Sequence, residues 1–294
     1  MMVRRRFLRT LTPAVPRKSG RGGERRGQCG CPAPALPHRG GGRSRRLALL
    51  VAFAFFLCGR AEAARVVSLN LCTDDYLMLL APESAVALSP LASDPSLSVV
   101  AAEARRLPWV RPDAEAVLAL HPDLVLAGPY GAQTTLAALE RRGLRIEQTG
   151  LPQNFREIRR ETRRMALALG VPARGDDLLR RMDAELEGIP KVRPRRAVYL
   201  EARGYEAGVG SLEAAVLRAA GLVNVGEAGR PGLEAIVTDP PQVLVVPEVP
   251  EYPSLATELL RHPALRGIPR LTLPPALVAC AGPWTAHAAA LLAQ

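Results

Sequence analysis

The sequence predicts an α/β protein with two Rossmann-like lobes, each built on a parallel sheet, joined by a long rigid interlobe helix. Short segments rich in Val, Ile and Leu alternate with helical patterns, as in parallel sheets covered by helices. One helix–turn–strand unit recurs 119 residues further along the chain, and a helical stretch without strand signals separates the two copies. The length of 294 residues allows two such lobes of about 100–150 residues each.

The strand signals are short apolar runs, and several are apolar on both faces, which is typical of buried parallel strands. They lie at residues 65–70, 123–128, 144–149, 195–202, 243–247 and 270–273. Helical patterns at 74–80 and 134–142 lie between the strands of the first half. This alternation favours parallel sheets with helices packed on them.

The repeat relates residues 115–129 to residues 234–248. Glu115 pairs with Glu234, and apolar positions in one copy remain apolar in the other. Each copy reads as a short helix, a proline-marked turn and a buried strand. Because the unit occurs twice rather than many times, it indicates two similar lobes and not a solenoid.

The region between the two copies is helical on both sides of a break. Asn154 followed by Glu157 forms a capping-box-like start, and Gly170, Pro172 and Gly175 interrupt the pattern. A second helix is predicted over 176–189, about 20 Å long at 1.5 Å per residue. A helix resists bending more than extended strands do, so we expect the lobes to close only slightly on binding. The expected divisions are an N-terminal lobe, a connector and a C-terminal lobe at 64–152, 153–192 and 193–294.

The basic charge is confined to the start of the chain. The chain has 39 Lys and Arg against 28 Asp and Glu, and residues 1–63 hold 14 of the basic residues and two of the acids. The remainder is therefore nearly neutral. This balance removes the electrostatic argument for binding of nucleic acid.

The same segment predicts export. Residues 43–63 combine an arginine cluster, a 12-residue apolar run and a small-residue site, which is the pattern of a secretory signal peptide. We expect an exported protein cleaved after Ala63, with an uncleaved anchor as the alternative. Residues 1–42 are rich in Arg, Gly and Pro and are interpreted as a disordered or misannotated leader.

Two cysteines remain after cleavage, Cys72 and Cys280. The compartment permits disulfides, but two cysteines are not a disulfide framework. Their types favour two small buried apolar side chains, and a bridge between them stays open.

Three segments, 65–82, 113–129 and 279–287, resemble the cobalamin and iron-siderophore class of periplasmic substrate-binding proteins. The phrase E-x-V-L-x-L-x-P-D-L-V and the opening strand R-V-V-S-L carry the resemblance. It implies a monomeric binding protein without catalytic residues or a cofactor, whose cargo is a small-molecule metal chelate such as cobalamin or an iron chelate. Its implied partners are an ABC permease dimer and the ATPase subunits of that importer.

The resemblance also implies where the chelate binds, in a cleft between the lobes at loops beyond the carboxyl ends of the strands. Aromatic side chains suit a flat, partly apolar macrocycle. The implied ligand-binding residues are Leu71, Cys72, Thr73, Trp109, Tyr130, Tyr205, Gly282, Pro283 and Trp284. Arg111 and Arg203 lie near the expected cleft but form no cluster, which favours cobalamin or another neutral chelate. For a haem ligand, the candidate axial ligands are Tyr130, Tyr205 and His287.

In this class each lobe carries one glutamate that docks into an arginine pocket of the permease. Glu115 and Glu234 match those positions, and the repeat relates them to each other. Two exposed carboxylates on equivalent surfaces suit a two-fold permease. The ordinary alternative is a pair of acids favoured by a helix dipole.

Other classes of function fit less well. A direct zinc or manganese binder needs three or four converging ligands, and His121 and His262 each precede a proline in turn-like contexts. The enzymatic alternative is a tetrapyrrole metal chelatase-like enzyme on the same two-lobe fold, which needs a His/Glu pair in the cleft. Asp74 and Asp75 form either an acid pair or ordinary acids at a helix start. A non-transporting extracellular scaffold is a third class.

Overall fold

Two four-stranded parallel sheets, one in each half of the chain, form the framework of the molecule. The computed structural model describes residues 63–226, 232–249 and 255–294. The leader and the signal peptide up to residue 62 lie outside the described residues, as does the expectation of cleavage. The strands are β1 (Val66–Ser68), β2 (Ala85–Ala87), β3 (Leu124–Ala127), β4 (Arg145–Gln148), β5 (Arg195–Tyr199), β6 (Leu222–Asn224), β7 (Val243–Pro247) and β8 (Arg270–Leu273).

Helices connect these strands. The α-helices of the described residues are α1 (Leu71–Leu80), α2 (Ala101–Ala104), α3 (Ala114–Ala119), α4 (Gln133–Arg141), α5 (Phe155–Ala168), α6 (Pro172–Glu187), α7 (Leu212–Ala219), α8 (Gly232–Thr238), α9 (Leu255–Glu258) and α10 (Thr285–Leu292). No helix in this part of the chain is both long enough and apolar enough to cross a membrane.

The two sheets have the same topology. Their strand orders are β2-β1-β3-β4 and β6-β5-β7-β8, and every pairing is parallel. The strands β3 and β7 of the sequence repeat occupy equivalent places, and a short helix precedes each, so the repeat and the two-lobe prediction are confirmed. The sequence prediction missed β2 and β6, because each is a three-residue edge strand without a distinct apolar pattern.

Alternate side chains of each sheet enter different cores. Val66 and Leu124 belong to a core that also contains Ala197 and Val243 of the second sheet. Val125, the next residue of β3 after Leu124, points to the opposite face and belongs to a smaller core confined to the first half. The second sheet has a matching smaller core on its own opposite face. Residues 64–294 accordingly belong to one compact unit.

The connector is a pair of antiparallel helices, α5 and α6. Arg159 of α5 forms an ion pair with Asp183 of α6 at 2.5 Å. We expected Pro172 and Gly175 to interrupt the helix, but α6 starts at Pro172, where a missing N–H costs no helical hydrogen bond. Gly175 permits close packing, since an added Cβ would lie 2.5 Å from the Cβ of Ala166.

An interlobe seam links the N-terminal turns of α1 to the loop before α10. We define it as Cys72, Tyr76, Cys280 and Trp284. Cys72 and Cys280 form a disulfide with Cα atoms 5.2 Å apart, so the interpretation as two unpaired buried cysteines was wrong. The rings of Tyr76 and Trp284 pack edge to face with centroids 5.2 Å apart, and both side chains are fully buried. The Tyr76 hydroxyl also lies 3.2 Å from the hydroxyl of Thr162 on α5, which joins the seam to the connector.

Asp74 and Asp75 of α1 anchor the segment that follows β2. Asp74 accepts hydrogen bonds from the backbone N–H and hydroxyl of Ser89, at 3.0 and 2.5 Å. Asp75 accepts one from the Ser98 hydroxyl at 2.7 Å. Both carboxyl groups are fully buried, so they are structural anchors and not a catalytic acid pair. Burial raises the pKa of Asp74 to about 6, against opposing hydrogen bonds, and burial also raises the pKa of Asp75.

We predict that the disulfide contributes substantially to stability. The double variant Cys72→Ser/Cys280→Ser should lose about 2–5 kcal/mol of unfolding free energy, because the bridge joins residues 208 positions apart. Urea titration followed by intrinsic fluorescence measures this loss. Wild-type protein kept in excess reductant should match the variant. Equal unfolding midpoints for oxidised wild type and the variant would contradict the prediction.

We also predict that Asp74 makes stability fall as pH rises. A folded pKa near 6 lies above the ordinary value of 3.8, so the folded state holds the proton more tightly than the unfolded state. Stability is therefore lost between about pH 4 and pH 6, by on the order of 3 kcal/mol. Asp74→Asn should match wild type near pH 4 and be more stable above pH 6.5, in urea titrations across this range. Asp94→Asn, at an exposed acid with a lowered pKa, is the control and should not reproduce this gain.

Candidate ligand-binding site

The strand carboxyl ends of the first sheet present two exposed aromatic side chains, Trp109 and Tyr130. Trp109 lies directly beyond β2, because Val110 N–H donates to the Leu88 carbonyl and Leu88 N–H donates to the Pro108 carbonyl. Its side chain is 62% exposed, and the Arg111 guanidinium lies 5.7 Å from the ring centroid. An exposed indole in a fixed backbone position is suited to stacking on a flat ligand.

Tyr130 follows β3 in a sharp turn. Gly131 and Ala132 both have positive φ, +73° and +55°, and the left-handed conformation of Ala132 is unusual for a residue with a side chain. This turn leaves Tyr130 76% exposed. The Gln133 amide donates to the Pro129 carbonyl at 3.2 Å and closes the turn.

Tyr205 is the matching aromatic residue of the second sheet. It lies in a tight turn after β5, where Glu201 N–H donates to the Tyr205 carbonyl at 2.9 Å and Gly204 has a φ of +83°. Half of its side chain is exposed. The pKa of Glu201 beside it is raised, first by burial and then by the charge of Glu213.

The loop after β1 contributes less surface than expected. Leu71 and Cys72 are partly exposed, but Cys72 is engaged in the disulfide. Thr73 is fully buried, and its hydroxyl donates to the Asn70 carbonyl at 2.9 Å. The expectation that Thr73 contacts ligand is therefore wrong. Gly128 packs against the Asn70 side chain so closely that an added Cβ would lie 2.6 Å from it.

The turn at Gly282, Pro283 and Trp284 is buried. The expectation that these three residues face the cleft is therefore wrong. The Trp284 indole N–H donates to the Cys280 carbonyl at 3.0 Å, and a Cβ on Gly282 would overlap the Trp284 ring. The signal that could have shown this is the apolar, alanine-rich segment that follows, which becomes the buried helix α10.

Glu115 and Glu234 occupy equivalent positions in the two halves. Each lies in the first turn of the short helix before a central strand, α3 before β3 and α8 before β7. Both side chains are exposed. Asp113, and not Glu115, caps α3 by accepting from Ala116 N–H at 2.9 Å, which leaves the Glu115 carboxylate available to a partner.

Two adjoining cavities open between the connector and the second sheet. Their volumes are ≈ 510 and ≈ 660 Å³. Both are lined by Gln153 and by the loop residues Val209, Gly210 and Ser211. None of the ligand-binding residues expected from the sequence is among their described lining residues, so sequence reasoning missed this part of the surface. The only local sequence feature that could have indicated these cavities is the glycine-containing loop at residues 208–211, just before α7.

The described residues contain no group of three His, Cys, Asp or Glu side chains arranged to hold a metal ion. His287 pairs with Glu185, Nδ1 to Oε1 at 2.7 Å. This pair lies in the contact of α6 with α10 and is mostly buried. His287 is thus not on a loop of the candidate site, and the expectation that it could be an axial haem ligand was wrong.

Comparison with solved structures shows the same fold in periplasmic proteins that bind heme or vitamin B12. A periplasmic heme-binding protein from Roseiflexus sp. RS-1 is 24% identical with a TM-score of 0.63, over 79% of this chain and 100% of that one. The periplasmic vitamin B12 binding protein of Vibrio cholerae is 20% identical with a TM-score of 0.57, over 79% and 96%. The periplasmic heme binding protein of Vibrio cholerae is 16% identical with a TM-score of 0.65, over 77% and 96%.

Comparison with curated proteins gave no match. The model of the periplasmic binding protein family matches residues 66–270, which include the first seven strands, the first residue of β8 and the connector. The duplicated parallel sheets and the antiparallel helices between them agree with that match. The chain therefore belongs to the periplasmic binding protein family.

Proposed function

We propose that this protein is the exported substrate-binding component of an ABC importer. It captures cobalamin or a ferric siderophore or haem-type chelate between its lobes and delivers that chelate to a permease. Export follows from the leader at 43–63, with cleavage after Ala63. The ATPase subunits of the importer supply the energy of transport, and the binding protein itself makes and breaks no covalent bond.

One observation supports the chelate assignment above all others. Among the aromatic side chains of described residues, the three exposed ones are Trp109, Tyr130 and Tyr205. Tyr130 and Tyr205 follow β3 and β5 in the chain, and Trp109 lies beside Leu88 at the carboxyl end of β2. Open parallel sheets bind ligands at this edge. Exposed aromatic rings from both halves suit a flat macrocycle held between two lobes, because each face of the ring system can stack on a side chain.

The chelatase-like alternative lacks a comparable observation. It requires a His and a carboxylate converging in the cleft. The His287–Glu185 pair lies instead between two packed helices. Binding without catalysis is therefore the function that the geometry supports best.

We predict that Trp109→Ala weakens chelate binding about tenfold, the size expected for loss of a stacked aromatic ring. The measurement is calorimetric titration of the purified exported protein with cyanocobalamin, haem and a panel of ferric siderophores. Leu167→Ala is the matched control, because Leu167 is a 70% exposed apolar side chain on α5 and should leave the affinity unchanged. If wild type binds none of these chelates, the proposed substrate class is wrong.

We predict that Glu115→Ala and Glu234→Ala lower transport about tenfold each by removing a charge-assisted contact with the permease. Chelate affinity should not change, because both carboxylates lie on outward-facing helix starts. Uptake in cells that express the complete importer, together with titration of the purified variants, separates these effects. Glu140→Ala, at another exposed glutamate, is the control. Normal uptake in the double variant would rule out the docking role.

A further inference from the structure

The two cavities beside the connector have no role in the proposed stacking of the chelate, because none of the three exposed aromatic residues lines them. They lie beyond the carboxyl ends of β4, β5 and β6, since their lining comes from Gln153 to Arg156, Gly208 to Ser211 and Asn224 to Gly226. The candidate site uses the same edges of the two sheets.

The neutral polar side chains that line the cavities are already engaged with the backbone. Asn154 accepts a helix-capping hydrogen bond at 3.0 Å, and Ser211 accepts one at 3.1 Å. The Asn224 amide donates to a backbone carbonyl at 2.8 Å and accepts from a backbone N–H at 3.2 Å. These hydrogen bonds hold the side chains in place and fix the shape of the cavities.

Two arginines supply the remaining polar character. Arg156 at the start of α5 and Arg218 near the end of α7 both line the first cavity, and no acid is among its described lining residues. Within the described part of the chain neither guanidinium forms an ion pair. The Glu157 carboxylate accepts the Gln153 N–H at 2.8 Å. Its pKa is lowered first by that bond and, among smaller effects, by Arg156. The single negative charge of Glu157 therefore offsets only part of the positive charge that Arg156 and Arg218 bring to the cavity.

The other walls of the first cavity are apolar. They comprise the partly buried ring of Phe155, the methyl groups of Ala215 and Ala219, and Val209, whose side chain is 71% exposed. A cavity with apolar walls and two guanidinium groups fits an organic anion. Guanidinium groups bind carboxylate and phosphate oxygens in a planar, bidentate geometry, and apolar walls bury the carbon skeleton.

We propose that this cavity is a binding subsite for an acidic arm, a carboxylate or phosphate, of the transported chelate. This inference rests on the proposed function and narrows it, because the cargo is then a chelate with acidic side arms. The expectation of a neutral chelate relied on Arg111 and Arg203 alone. It missed Arg156 and Arg218 because they are 62 residues apart in the sequence and meet only in the fold.

The test compares two ligands that differ only in their acidic arms, zinc protoporphyrin IX and its dimethyl ester. Both are titrated into the purified exported protein by fluorescence in the same fraction of dimethyl sulfoxide. Wild type should bind the diacid about tenfold more tightly than the diester, as expected for charge-assisted contacts that remain partly solvated. Added salt should reduce that advantage. In Arg156→Gln/Arg218→Gln the advantage should disappear, while diester affinity should stay the same.

Arg160→Gln is the matched control, because Arg160 is an exposed arginine of the same helix that does not line the cavity. It should keep the preference for the diacid. The proposal is overturned if wild type binds both porphyrins equally, or if the double variant keeps the preference. It is also overturned if inorganic phosphate alone saturates the cavity without competing with the porphyrin. If cyanocobalamin binds and both porphyrins do not, the importer function stands and the acidic-arm subsite fails.

Discussion

The contact between the two lobes through the interlobe seam is the constraint on which the rest of the structure depends. Each sheet has one face in a core of its own and the other in a core shared by both halves. The disulfide and the Tyr76–Trp284 ring contact lie where that shared core reaches the carboxyl ends of the strands. The lobes are thus joined covalently twice, once through the connector and once through the bridge. Their relative motion is limited by both links.

The seam also explains why the aromatic residues divide into two groups. Tyr76 and Trp284 are fully buried between the halves, and their polar atoms are satisfied by Thr162 and Cys280. Trp109, Tyr130 and Tyr205 lie on loops and remain exposed. Buried Trp and Tyr need hydrogen-bond partners, whereas exposed ones at a cleft are available for stacking. Residues of the same type therefore serve packing where they are buried and are free of such packing where they are exposed.

The sequence predicted the elements with strong local patterns and failed where distant residues meet. The repeat around Glu115 and Glu234 established two similar lobes, and the buried strands β3 and β7 lie where their apolar runs indicated. Trp284 was misplaced because a turn sequence does not reveal what packs against it. Similarly, the Cys72–Cys280 bridge depends on a separation in space that no local pattern contains. Pro172 was read as a helix break, although the same residue type is favoured at a first helical position.

A binding protein with tethered lobes gains affinity through preorganisation. When little backbone must be ordered on binding, more of the contact energy appears as affinity. The same rigidity would affect delivery, because Glu115 and Glu234 lie on equivalent helices of two lobes that are linked by both the connector and the disulfide. If the lobes close only slightly, as we expect, the separation of the two carboxylates is nearly the same with and without a chelate. A permease would therefore distinguish loaded from empty protein by small changes at the cleft loops, and the two carboxylates would supply attraction and orientation in both states.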